Sequence, residues 1–138
     1  GRLAEARAAY ETALPLRPDD AKLAMELGRV LTQLDLPEEG EARFREAVRR
    51  DPELANAWLF LGTLLYTEGR FAEAEASLLR AAALLPEDAR SLTALGMNLA
   101  ASGRRDEAIA TLQRAVRLDP GFERARTELQ RITGPESH

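Results

Sequence analysis

Apolar residues recur at helical spacing along this chain: Leu27 and Leu31, Leu61 and Leu65, and Leu95 and Leu99 each stand four apart, as one helix face requires. Gly, Asp and Pro cut the pattern into segments. The segmentation predicts first helices over 21–34, 55–68 and 89–102, and second helices over 2–14, 37–50, 71–84 and 105–118. Each first helix runs to a Gly or Asp, and each second helix to a proline that forbids continuation. With a last short helix over 123–133, the expectation is an all-α chain of about eight helices.

The segments obey one ruler. Pro18, Pro52, Pro86 and Pro120 stand 34 residues apart, and the slots between them keep their residue type. One slot holds Leu27, Leu61 and Leu95, the next Gly28, Gly62 and Gly96, and a third Leu31, Leu65 and Leu99. A large apolar slot holds Tyr10, Phe44, Leu78 and Leu112. Small residues fill two more, Ala6, Gly40, Ala74 and Ala108, then Ala13, Ala47, Ala81 and Ala115, where two backbones come close. Trp58 shares its slot with Ala24 and Leu92. Any Ala-rich amphipathic helix supplies one such window, whereas recurrence in phase over four windows requires a repeated unit stacked through the same contacts.

Trp58, the Leu-Gly pairs and the large, small and proline slots together resemble the tetratricopeptide repeat. That family carries Trp, Leu-Gly and Tyr on a first helix, then Ala, Phe, Ala and a closing Pro on a second. The resemblance covers nearly the whole chain and implies an α-α superhelix of antiparallel helix pairs. On it, 1–20 is the second half of a truncated repeat, 21–54, 55–88 and 89–122 are full repeats, 123–133 is a capping helix and 134–138 a tail. Gly1 aligns with the turn glycines Gly69 and Gly103, which makes the chain read as a fragment. Arg126 and Gln130 fill the Trp58 and Gly28 slots of the last helix, the polar version expected of a cap ending at Thr133-Gly134-Pro135.

Departures from the pattern are local. Gly40 stands among alanines and is expected to cost about 1 kcal/mol inside a helix. Asp35 takes the turn slot of Gly69 and Gly103, with Pro37 suited to the first turn that follows. Pro15 has no counterpart in the later repeats and predicts that the first helix ends near Leu14.

Candidate chemistry is sparse. The one His is His138, the last residue, a tail position rather than a catalytic one. Ser77, Ser91 and Ser102 have no His or Lys placed to activate them, and no Gly-rich phosphate loop occurs. Asp19, Asp20, Glu38, Glu39, Glu87, Asp88 and Asp106 gather at helix starts and complement the dipole, as Arg49 and Arg50 do at a helix end. The expectation is no enzyme, no metal and no cofactor in this segment. With no Cys, no disulfide framework or thiolate site is implied.

Composition adds limits. The 138 residues are 45% hydrophobic and 5% aromatic, enough for a continuous core built of Ala and Leu. No apolar run reaches the length of about 18 residues that a membrane span needs, so a soluble segment, cytoplasmic or periplasmic, is expected. A net charge of -4 disfavours nucleic acid as a partner. Eighteen Arg against the single Lys22 is the bias of a GC-rich bacterial gene.

Function is then expected from the surface. The resemblance implies that first helices line a concave groove whose non-packing positions contact a partner peptide or helix. Those positions are Lys22, Met25, Glu26, Arg29, Thr32 and Gln33; Asn56, Leu59, Phe60, Thr63, Tyr66 and Thr67; Arg90, Thr93, Ala94, Met97, Ala100 and Ala101; with Arg131 closing the end. Phe60, Tyr66, Leu59 and Met97 form the expected apolar centre, and Lys22, Arg29 and Arg90 the basic flanks. Members of the family that grip the carboxylate tails of chaperones place Lys, Asn and Arg in slots that here hold Met25, Arg29, Phe60, Arg90 and Ala94. Only Arg90 fits, so no chaperone-tail clamp is expected. The rivals to a peptide-binding scaffold are self-association through the apolar face of the exposed terminal helix, and service as the targeting arm of a larger enzyme.

Overall fold

Each predicted turn closes the same way. In the computed structural model, which describes residues 1–134, Asp35, Gly69 and Gly103 adopt left-handed backbone with φ of 64°, 77° and 84°. The amides that follow them, Leu36, Arg70 and Arg104, each donate to a carbonyl one turn back, Leu31, Leu65 and Leu99, at 2.9 Å. This closure satisfies the orphan carbonyls of a helix end and reverses the chain.

Among the described residues the closures and prolines delimit eight α-helices: α1 (Arg2–Ala13), α2 (Ala21–Gln33), α3 (Pro37–Arg50), α4 (Ala55–Thr67), α5 (Phe71–Leu84), α6 (Ala89–Ala101), α7 (Arg105–Leu118) and α8 (Glu123–Thr133). A 3₁₀ turn over Leu14–Leu16 follows α1, at the place where Pro15 cannot continue it. First helices end one residue earlier than predicted, at Gln33, Thr67 and Ala101. Asp20 and Asp88 cap α2 and α6, their carboxylates accepting from the Leu23 and Arg90 amides at 3.0 and 2.9 Å.

The closest helix pairs are α2 with α3, α4 with α5 and α6 with α7. Their spacing is set by glycine. A Cβ on Gly28, Gly62 or Gly96 would stand 2.7, 2.6 or 2.6 Å from the side chain of Phe44, Leu78 or Leu112, each fully buried. Gly40 has its own reason. The Thr32 hydroxyl, bonded to the Gly28 carbonyl at 2.9 Å, would lie 2.6 Å from a Cβ there, so the helix-propensity cost of glycine is traded for a close approach.

First helices also touch one another in sequence, α2 with α4, α4 with α6 and α6 with α8. Second helices are bridged by long side chains instead, as by Arg7 to Glu39 and Arg45 to Glu73, both at 3.3 Å. First helices are therefore the crowded, inner side of a curved stack. Asn98 is fully buried in α6 and ties it to α5 by donating to the Phe71 carbonyl at 2.9 Å. Of α1, no residue is buried, and Leu3 is its one exposed large hydrophobic side chain. Among the described residues, no helix is long and apolar enough to cross a membrane. Pro135, His138 and all but Gly134 of the expected tail lie outside the described residues.

Candidate functional site

The inner side opens into a cleft of about 320 Å3 between α4, α6 and the start of α8. Leu59, Phe60, Thr63, Tyr66 and Thr67 line it from α4, Arg90, Thr93, Ala94 and Met97 from α6, and Phe122 and Arg124 from the α8 junction, with Leu78 of α5 behind. Beyond Tyr66 and Met97 the depression continues along Ala100, Ala101, Glu128 and Arg131. The helical period places these residues together. Positions three and four apart on α4 and α6 share the face turned away from the second helices.

The centre is aromatic and partly covered. Phe60 packs its ring 6.0 Å from Phe44, and the Arg29 guanidinium lies 4.8 Å above the Phe60 centroid. Tyr66 sits 6.0 Å from the Phe71 ring. Both Phe60 and Tyr66 are half-buried, with an open face toward the cleft.

The expected contact positions divide. Phe60, Thr63, Tyr66 and Arg90 reach the cleft with exposed surface. Leu59, Thr93 and Met97 line it as floor, at 7%, 2% and 9% exposure. Thr93 turns its hydroxyl to the Ala89 carbonyl at 2.7 Å, so its one donor is spent within its own helix. Met25 is a correction to the sequence expectation, since it is 3% exposed and packs within the hydrophobic core. Lys22 and Arg29 lie on α2, outside the cleft lining, and Asn56 touches it only through Arg90, accepting from Nη2 at 3.2 Å.

The basic flanks are also more neutral than charge counting suggested. Arg29 pairs with Glu26 at 3.2 Å and Arg90 with Asp88 at 2.8 Å. Burial pushes the Asp88 carboxyl up, but the Arg90 side chain and amide outweigh it and hold it below the usual carboxylate range. The same slot pair that holds Glu26 and Arg29 holds Glu128 and Arg131, bonded at 2.8 Å, so an ion pair closes each end of the groove.

Arg124 is different. It is exposed, lines the cleft beside Phe122, and makes no ion pair or hydrogen bond among the described residues. Neither Arg124 nor Phe122 was an expected contact. The signal was available for Arg124, which stands 34 residues after Arg90, 68 after Asn56 and 102 after Lys22, one slot of the repeat.

Comparison with known proteins bears on the fold. Two family models, both described as tetratricopeptide repeat, match residues 53–120 and 1–39. The chain belongs to the tetratricopeptide repeat family. No curated protein matches the sequence. Among solved structures, the tetratricopeptide array is similar to MamA protein at 26% identity, over 96% of this chain and 72% of that one, with a TM-score of 0.86. It is similar to YrrB, described as a tetratricopeptide repeat protein with an unusual peptide-binding site, at 28% identity, over 95% and 68% of the two chains, with a TM-score of 0.81. The first tetratricopeptide domain of Spaghetti (RPAP3), solved with an HSP90 peptide, shares the fold at 21% identity, 81% and 89% coverage and a TM-score of 0.78.

Proposed function

We propose that this tetratricopeptide array is a protein-interaction module that takes a partner peptide or helix in its inner cleft and performs no catalysis of its own. The observation that carries the reading is the cleft itself. Half-buried aromatic rings with open faces, Phe60 and Tyr66, stand over an apolar floor of Leu59 and Met97, with Arg90 and Arg124 at the rim. Large side chains held rigid by their neighbours contribute contact area at small entropic cost, the property of interface anchors. A peptide-binding site in YrrB, which shares this fold at 28% identity, supports the assignment.

The test is to select peptides from a random displayed library on the immobilised chain, and to titrate the best into isotope-labelled protein. The expected footprint is Phe60, Thr63, Tyr66, Met97 and Arg124, with affinity falling about tenfold or more in Tyr66→Ala. A footprint confined to the outer helices, or unchanged affinity in the variant, would remove the reading.

A further inference from the structure

Most polar groups of the inner cleft are already spoken for, and the charge left over has one sign. Thr63, Thr67 and Thr93 spend their hydroxyl donors on the carbonyls of Leu59, Thr63 and Ala89, at 2.8, 3.0 and 2.7 Å. Arg90 bonds Asp88 through Nε and Nη2, at 3.2 and 2.8 Å, and Asn56 through Nη2, so its charge is matched within the array. Among the described residues, two lining groups have no hydrogen-bond partner: the Tyr66 hydroxyl and the Arg124 guanidinium. The described lining includes no carboxylate.

Arg124 has carboxylates near it in sequence, but they are turned elsewhere. Glu128 stands one helical turn further along α8, the spacing that favours a pair, yet it accepts from Arg131 at 2.8 Å. Glu123 is the adjacent residue, and neighbours in a helix do not face each other. A solvated arginine is ordinary on an open surface, where a salt bridge contributes little. Arg124 instead stands beside Phe122 at the mouth of a cleft floored by Leu59 and Met97. A carboxylate brought there is shielded on its cleft side and pairs more strongly than in open water. The repeat extends the same sign along one edge. The slot of Arg124 holds Lys22, Asn56 and Arg90 in the earlier first helices, three cations in four and no acid.

We propose that the inner cleft selects an acidic segment of its partner, an Asp or Glu side chain pairing with Arg124 while a large apolar side chain beside it settles over Leu59 and Met97, against Phe60 and Tyr66. This rests on the inner cleft being the peptide site. The depression runs on past Tyr66 and Met97 toward Ala100 and Ala101, which leaves room for the partner chain to continue, so a side chain rather than a chain terminus supplies the carboxylate. Charge of this kind sets specificity and makes binding weaken with salt, while the apolar neighbour contributes contact area.

The test uses a library of random peptides displayed as internal inserts, which have no free terminus, selected on the parent chain and on Arg124→Gln. Inserts with Asp or Glu beside a large apolar residue should dominate on the parent and lose that bias on Arg124→Gln. The best insert is then synthesised with both ends blocked, alongside counterparts carrying Gln or Lys in place of the acid. Fluorescence anisotropy reads affinity, isotope-edited spectra read the footprint, and circular dichroism confirms that the variants fold. On the parent, the Gln counterpart should bind about fivefold more weakly, the scale of an exposed ion pair. On Arg124→Gln the two should bind alike, and Arg124→Glu should prefer the Lys counterpart. Peptides that shift Phe60, Tyr66 and Met97 but show no acidic bias, or bind equally with Glu and Gln, would overturn this inference and leave the peptide site standing. A footprint away from those residues, or a library that yields no binder, would remove both.

Discussion

Arg70 grips Glu41 of the preceding repeat with both ends of its guanidinium fork, Nη1 to Oε1 at 2.7 Å and Nη2 to Oε2 at 3.1 Å. The same Arg70 bonds Glu73 of its own repeat at 2.9 Å through Nε. One repeat later Arg104 also bridges two carboxylates, reaching Glu75 of the preceding repeat through Nη1 at 2.6 Å and its own Glu107 through Nε and Nη2, both at 2.8 Å. A planar fork held by two carboxylates fixes the angle between successive repeats more tightly than a point charge can.

Arg70 holds the Glu41 carboxyl below the usual carboxylate range, against the opposing effect of burial and with help from Arg45. The folded pKa lies below the unfolded one, so its stabilisation is present above the ordinary carboxylate pKa of about 4.3 and is lost as pH falls through the depressed folded value. Glu41→Gln is expected to cost about 0.5–1 kcal/mol at neutral pH, a figure reduced for solvent screening of Arg70. Urea melts across pH check this: the gap between parent and variant should close in acid.

Asp35 carries a left-handed φ of 64° where Gly69 and Gly103 carry theirs without a Cβ. Asp35→Gly should raise stability by about 0.5–1 kcal/mol, the left-handed penalty less the extra freedom of glycine in the unfolded chain. Differential scanning calorimetry would show a higher Tm, and an unchanged or lower one would mean that Asp35 is not strained there.

Ser91 is fully buried on α6 and its hydroxyl has no hydrogen-bond partner, while Ala57 and Ala125 occupy its slot in adjoining repeats. Ser91→Ala is expected to stabilise the array by about 1 kcal/mol, because an unsatisfied buried hydroxyl is removed with little change in volume. A fall in the denaturation midpoint would instead reveal a partner for that hydroxyl.

Gly62→Ala should destabilise by about 1–3 kcal/mol, since its Cβ would sit against Leu78 and force α4 and α5 apart. An approach of 2.6 Å leaves no room for a methyl group. Denaturant melts of Gly62→Ala alone and combined with Leu78→Ala would separate this overlap from helix propensity, with the combination less destabilised than the two single losses added.

Arg124→Glu should leave the unfolding free energy within about 0.5 kcal/mol of the parent, the range of surface substitutions without partners. If the inner cleft is the peptide site, calorimetric titration with a selected peptide should show weaker binding in this variant.

The helices were legible because each is bounded by local chemistry: a proline that cannot donate, or a left-handed residue that reverses the chain. Gly28, Gly62 and Gly96 announced close approach by recurring opposite a large apolar slot, and the packing against Phe44, Leu78 and Leu112 has that form. Arg126 is legible as the polar occupant of the Trp58 slot, and only the fold shows that it donates to the Pro120 carbonyl, the bond that Trp58 makes to Pro52. The groove was legible as a set of slots and not as a surface. Met25, Thr93 and Phe60 share an inner-face assignment, yet one is core, one bonds its own backbone, and one is roofed by Arg29.

The 34-residue spacing by itself determined the unit, its two helices and the residues through which the units stack, because those depend on contacts at fixed sequence offsets. Only the tertiary structure decided which cations are free and where the stack is open. Arg29 and Arg90 are neutralised by Glu26 and Asp88 while Arg124 is not. Leu92 lines an outer cleft between α5 and α7, in the slot that holds Trp58 one repeat earlier. Pairing and vacancy depend on side chains from helices distant in the chain meeting in one place, which no single window of the sequence contains.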